Sequence, residues 1–291
     1  MDQRIINLYD NFTHSRISRR EFMDELTKIA GSAAAAAALL PLLKNDYALA
    51  ATVPENDARL NAQRVSYDSP KGKINTYLVR AKSIAKRPAV IVIHENRGIN
   101  PHLEDVARRF ALEGFIAIAP DLLSVNGGTP ANEDAARDLH TKTNREDMIA
   151  AAVAGITFLK NHAESTGKVG AVGYCFGGGV VNRMATDSPD LAASVPYYGA
   201  QPPADKVPAI KAALLLQYAG IDENINKGIE AFEAALKANN KIYTKHMYEG
   251  AQHAFNNDTN DARYHKQASE LAYSRTVAFF KQHLGVPPAI G

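Results

Sequence analysis

The stretch "KVGAVGYCFGGG" constrains the fold more than any other part of this chain. An apolar run passes without a break into Gly177, Gly178 and Gly179. A continuous apolar run is the mark of a strand buried on both faces. The glycines after it leave room for a very tight reversal into a helix. Between the two sits Cys175, the one cysteine among 291 residues. A lone cysteine is most often a small buried hydrophobe, so its neighbours must make any case for chemistry. A single cysteine also rules out an internal disulfide and a multi-cysteine metal site, and it leaves thiol redox chemistry without a resolving partner.

Other runs repeat the pattern. "AVIVIHE" and "FIAIAPD" read as buried strands, and "AASVPYYG", "AALLLQYAG" and "KIYTKHMYEG" as three more. "RVSYDS" and "KINTYLVR" alternate polar and apolar residues around "PKG", which predicts a hairpin. Helical spacing fills the intervals at 102–113, 133–140, 145–162, 224–238 and 262–283, with Gly114 placed to stop the first. In the third, Met148, Ile149, Ala152, Val153, Ile156 and Leu159 form one stripe. Strands that alternate with helices imply right-handed crossovers and a mostly parallel sheet with helices on both faces. The expected fold is therefore α/β, with one domain over residues 64–291. A net charge of +2 is too small to suggest a nucleic-acid partner.

The first fifty residues differ in kind. "SRREF" with Arg19 and Arg20 precedes an alanine-rich run over 33–43, too short to span a bilayer. "YALAA" follows, with small residues at Ala48 and Ala50. The pattern resembles a twin-arginine export signal. It implies a leader over 1–50, a linker over 51–63, and a periplasmic or secreted mature form with no membrane association. The alternative is an uncleaved N-terminal helix that packs on the body of a cytoplasmic protein. Asp24 and the long stretch before the arginines fit the export pattern poorly.

Chemistry in a parallel sheet collects at the carboxyl ends of its strands, where Cys175 sits. Gly173-x-Cys175-x-Gly177 matches the nucleophile elbow with sulfur in place of a hydroxyl. The start of the following helix favours a thiolate and can present N–H groups to an oxyanion. A nucleophile needs a base, and the base needs an orienting acid, in the chain order nucleophile, acid, histidine. Asp222 in "AGIDENI" and His253 in "YEGAQHAF" stand past strands in that order. His94 beside Glu95 does not form a metal pair, because adjacent strand residues point to opposite faces; it is expected to pack or hydrogen-bond. No metal and no organic cofactor is expected.

With "VIVIHENRG", "FIAIAPDL", "KVGAVGYCFGG", "YYG", "AGIDENI" and "YEGAQHAF", the chain from about residue 63 onward resembles the dienelactone hydrolase family of α/β-hydrolases. The cysteine in the elbow distinguishes that family within its superfamily. The resemblance implies hydrolysis of a small-molecule ester or lactone through a thioester, with Cys175 as nucleophile, Asp222 as acid and His253 as base. It implies that Glu95 approaches the resting thiol, and that the N–H groups of Asn96 and Phe176 hold the oxyanion. It also implies pocket arginines for a substrate carboxylate. Here Asn256 and Asn257 stand where one of them belongs, with Arg137 and Arg97 as the remaining candidates. Poor turnover of carboxylated lactones follows. A carboxylesterase or thioesterase on the same triad, and a binding protein that has lost the chemistry, are the competing readings.

Overall fold

The computed structural model describes residues 1–47, 52–82, 85–287 and 289–290. Its first three helices each begin on a side chain that closes the first turn, as helix starts require. Asp2 caps α1 (Gln3–Thr13), Ser18 forms a reciprocal capping box with Glu21 on α2 (Arg19–Ala30), and Ser32 caps α3 (Ala33–Leu43). Gly31, at φ +82°, ends α2, and α2 and α3 meet at 111°. No single helix among the described residues is long and apolar enough to cross a membrane. Ile5, Tyr9, Phe12, Phe22, Leu26 and Leu43 bury one another in a small core, with Phe12 and Phe22 stacked at 4.7 Å. The segment expected as an export leader is thus a three-helix cap. The small residues at Ala48 and Ala50 lie outside the described residues.

The cap is tied to the body. Arg97 donates to the Tyr9 hydroxyl at 3.0 Å, Asn260 to the Leu43 carbonyl at 2.8 Å and Gln3 to Gln252 at 3.0 Å. Arg19, the first of the paired arginines, bridges to Asp134 at 2.8 Å.

The body alternates as the apolar runs predict: β1 (Leu60–Ser69), β2 (Gly72–Ala81), β3 (Arg87–Ile93), α4 (Pro101–Leu112), β4 (Ile116–Pro120), α5 (Glu133–Lys142), α6 (Arg145–Lys160), β5 (Ser165–Tyr174), α7 (Phe176–Asp187), β6 (Leu191–Tyr197), β7 (Ala213–Ile221), α8 (Glu223–Asn226), α9 (Ile229–Ala238), β8 (Tyr243–Gln252) and α10 (Lys266–Leu284). The eight strands form one sheet in the order β1-β2-β4-β3-β5-β6-β7-β8. The hairpin β1–β2 and the β2–β4 pair are antiparallel, and every other pair is parallel. Alternation along β3 splits the core in two. Val90 and Val92 face the layer of α4 and α10, while Ala89, Ile91 and Ile93 face the layer of α6, α7 and α9.

Three expected boundaries move. The linker over 51–63 is partly structural: Leu60 opens β1, and the buried Val53 N–H donates to Asp105 at 2.7 Å. The helix expected over 224–238 breaks at Gly228, where a Cβ would meet Gln201 Oε1 at 2.3 Å. The last helix starts at Lys266, because residues 260–264 form turns on the Asn260 carbonyl.

Candidate active site

β5 delivers Cys175 to the end of the sheet, and α7 begins on the next residue. Cys175 adopts φ +56°, a conformation a residue with a Cβ avoids unless its surroundings enforce it. The glycines enforce it. A Cβ on Gly173 would lie 2.1 Å from the Gly177 carbonyl oxygen, and one on Gly177 would lie 2.4 Å from that of Ile93. Among the described residues five other than glycine have positive φ; Ser15, Cys175 and Tyr198 line one cavity, and Ala254 directly follows His253. Strain of this kind collects at functional sites.

Cys175 lies at the wall of a cavity of about 420 Å³ that His14, Asn96, Phe176, Tyr198 and His253 also line. The end of β7 supplies Asp222 and the end of β8 leads to His253. One Asp222 oxygen caps α8 through the Ile225 N–H, and the other takes His253 Nδ1 at 2.6 Å. His253 Nε2 is buried and finds no hydrogen-bond partner among the described residues. The sequence-predicted Cys175, His253 and Asp222 are therefore brought together.

His14, which the sequence reading did not pick out, stands against the sulfur. Its Nε2 is 3.1 Å from Cys175 Sγ, and its ring meets that of His253 edge-on at 4.9 Å. Its Nδ1 is 2.8 Å from the Asp10 carbonyl oxygen and 3.2 Å from the Asp10 carboxylate. Burial alone would raise the Cys175 thiol, but the charges of His14 and His253 outweigh it and bring the thiol down to about 6. Burial opposes the His14 imidazolium, and Cys175 with Asp10 raises it to about 9. His253 is also raised, against burial, by Cys175 and Asp222.

Of the other expected site residues, Asn96 and Phe176 line the cavity and Glu95, Arg97 and Arg137 do not. Glu95, expected against the thiol, accepts from Asn257 at 3.0 Å. Asn96 keeps to the cavity wall, its side chain donating to the Thr13 carbonyl of the cap. Phe176 opens α7 directly after the sulfur. Arg97 and Arg137 do not line this cavity. Arg97 is held by Glu133 and Tyr9, and Arg137 lies 4.4 Å over the Phe12 ring. Both are turned toward the cap, whose apolar face covers them. The cavity has other cations, Arg16 and Arg145. Arg16 pairs with Asp10 at 3.2 Å, and Arg145 lies over the Phe176 ring at 5.6 Å. His94 packs as expected: its Nδ1 is 2.6 Å from the Glu95 carbonyl and its Nε2 accepts from the Leu122 N–H.

One side-chain heteroatom each of His14, Cys175 and His253 lies within 4.8 Å of the other two.

The sequence model of the Dienelactone hydrolase family matches residues 74–284, and a second model, described as YqhI-like, matches residues 1–31, the stretch that carries Asp10 and His14. The candidate hydrolase fragment YghX of Escherichia coli K12 is 50% identical over 112 residues, 38% of this chain and 96% of the fragment. A Saccharolobus solfataricus protein, named as a candidate carboxymethylenebutenolidase, is 29% identical and aligns over 76% of this chain and 98% of its own. The crystal structure of a candidate dienelactone hydrolase from Klebsiella pneumoniae superposes with a TM-score of 0.69 at 28% identity, over 77% of this chain and 99% of that one. With its sheet order, elbow and 211 of 291 residues inside that family's model (284 − 74 + 1), the chain belongs to the dienelactone hydrolase family and is a hydrolase of that kind.

Proposed function

We propose that the chain hydrolyses a carboxylic ester or lactone through a thioester on Cys175, with His253 oriented by Asp222. The carrying observation is the alignment of the three side chains: a thiol held at positive φ at the end of β5, and beside it a histidine whose far nitrogen is fixed by a carboxylate at 2.6 Å while its near nitrogen has no partner. Such a nitrogen is free to serve a leaving group or a water molecule. Sγ attacks the carbonyl carbon, and the carbonyl electron pair moves onto oxygen. The N–H groups of Phe176 and Asn96 are the proposed donors to that oxyanion. Collapse expels the leaving oxygen, which takes a proton from an imidazolium. His253 Nε2 then takes a proton from water as the hydroxide adds to the thioester, and the thiolate departs.

The experiment is a panel of lactones, aryl esters and thioesters turned over by wild-type and Cys175→Ala protein. Loss of all turnover in the variant with the fold retained supports the reading; near-normal turnover overturns it, and a profile confined to thioesters favours the thioesterase alternative. We propose Arg145, one of two arginines on the cavity wall and the one with no carboxylate partner named above, for any substrate carboxylate, the role expected of Arg97 or Arg137. Arg145→Gln is expected to raise KM for carboxylated substrates about ten- to a hundredfold, the weight of one charge-assisted contact, and to leave neutral esters alone.

We also propose that residues 1–47 stay on the mature enzyme, because the cap buries its own core and walls the cavity with His14. Sequencing the native N-terminus tests this. Met1 on a cytoplasmic protein fits the retained cap, and a start near residue 51 outside the cytoplasm restores the export leader.

A further inference from the structure

The group expected to hold the thiol proton in this chain is not the one that touches the sulfur. Glu95 is turned to Asn257, and His253, though its ring stands near the sulfur, makes no well-aligned hydrogen bond at Nε2 among the described residues. The hydrogen bond at Sγ comes from a histidine 161 positions earlier in the chain. We propose that His14, carried by the N-terminal cap, is a second catalytic residue of this site: it accepts the Cys175 thiol proton and holds the thiolate, leaving His253 for the water step. This rests on the hydrolytic reading above.

The geometry supports a base rather than a packing residue. The Asp10 carbonyl and carboxylate both stand at Nδ1, which places a proton there and leaves the Nε2 lone pair facing the sulfur at 3.1 Å. Asp10–His14 thus repeats on one side of Cys175 what Asp222–His253 does on the other. Position is fixed from both flanks of His14. The Thr13 carbonyl accepts from Asn96, and Ser15, at φ +56°, meets the Thr141 hydroxyl at 3.1 Å. A residue held in that conformation by contacts on both sides is placed, not frayed.

The step balances within the chain. The S–H bond breaks and an N–H bond forms at His14 Nε2, giving thiolate and imidazolium. After attack and collapse, the C–O bond to the leaving group breaks and its oxygen takes that proton. In the second half, water gives one proton to His253 and its hydroxide to the acyl carbon; the C–S bond breaks, and the proton on His253 returns to the sulfur. The net change is ester plus water to acid plus alcohol.

Other charged groups face the pair. Asp10 and Arg16 approach from the cap, and Arg263 stands behind Asp10 at 3.9 Å. Asp222 lies behind His253. His140 is pushed down to about 3, by burial first and then by His94, Arg145 and His14, and burial keeps the Tyr198 phenol neutral. The groups that face the sulfur from its two sides are thus the His14 and His253 imidazoles, and the proton taken from the thiol makes His14 the cation.

The test reads the thiolate without turnover. With one cysteine in the chain, alkylation by iodoacetamide reports Cys175 alone. In full-length protein the rate is expected to rise with pH through about 6. In His14→Gln the midpoint should move up by a unit or more toward the ordinary thiol value. kcat/KM should fall about ten- to a hundredfold near neutral pH with the melting temperature kept. A residue that only packs would leave the midpoint in place. If His14→Gln fails to fold, Asp10→Asn, which keeps the imidazole and removes its charged anchor, is expected to move the midpoint the same way by less. Superimposable alkylation profiles in the folded variant, with turnover retained, overturn the proposal. Because alkylation needs no substrate, that failure is distinct from survival of hydrolysis in Cys175→Ala, which would instead overturn the nucleophile.

Discussion

Gly177→Ala probes how closely the elbow is built. An added Cβ would sit 2.4 Å from the Ile93 carbonyl oxygen and 2.6 Å from that of His94, both backbone atoms at the end of β3. Ordinary contact begins at 3.4 Å, so the start of α7 must retreat by 3.4 − 2.4, about 1 Å. Neither partner is a flexible side chain that can swing away. Overpacking of this kind costs about 1–3 kcal/mol, which a domain of this size survives. Catalysis is less tolerant, because Cys175 and the Phe176 N–H ride on the same turn; a displacement of about 1 Å at a reacting group can cost about a hundredfold. The variant should therefore fold, melt somewhat lower and lose about two orders of magnitude in kcat/KM. Melting curves and steady-state kinetics on the same preparation check both parts. Wild-type kcat/KM at a wild-type melting temperature would refute the claim that the glycine exists for this approach.

Asp222→Asn should cost at least about ten- to a hundredfold in kcat/KM, the worth of one charge-assisted hydrogen bond of about 1.5–3 kcal/mol to the imidazolium, read by steady-state kinetics with the fold checked by circular dichroism. The pH profile of kcat/KM should be a bell. Activity climbs as the thiol ionises through about 6 and falls as the His14 imidazolium is lost through about 9; a flat profile across either value contradicts the assignment. Phe22→Ala empties the centre of the cap core at about 3–5 kcal/mol. Amide exchange should then quicken over residues 1–47 and not over β3 or β5, while equal protection in both would show that the cap has no core of its own.

The strands and the elbow were legible because their signals are local. A buried parallel strand needs an unbroken apolar run, and a tight strand-to-helix reversal needs glycine at Gly173 and Gly177. The order of Cys175, Asp222 and His253 was legible because the topology dictates which strand ends meet. His14 was not, since nothing near it in sequence announces a thiol partner. The composition that follows it, paired arginines and then alanines, reads as a leader. The same stretch also carries helix signals: Ser18 and Glu21 form a capping box across the arginines, and Ile5, Ile6, Tyr9 and Phe12 keep one helical face apolar. Arg97, in the loop after β3, and Arg137, on α5, were sought in the cavity because the family resemblance implies pocket arginines. Their side chains turn instead to Tyr9 and Phe12, aromatic partners that exist only once the cap is in place. Arg145 escaped notice because the first residue of a helix is ordinarily a solvated position.

The account turns on a covalent bond to one sulfur, and mass spectrometry can weigh that bond directly. Full-length His253→Ala protein mixed with an activated aryl ester and quenched in acid should carry the acyl group, because the variant loses the base for the water step while His14 still holds the thiolate. Peptide mapping should place the added mass on Cys175, and hydroxylamine should remove it as a thioester. Acyl mass on any other residue, or turnover of the ester by wild type with no adduct at Cys175 under any quench, would contradict the account.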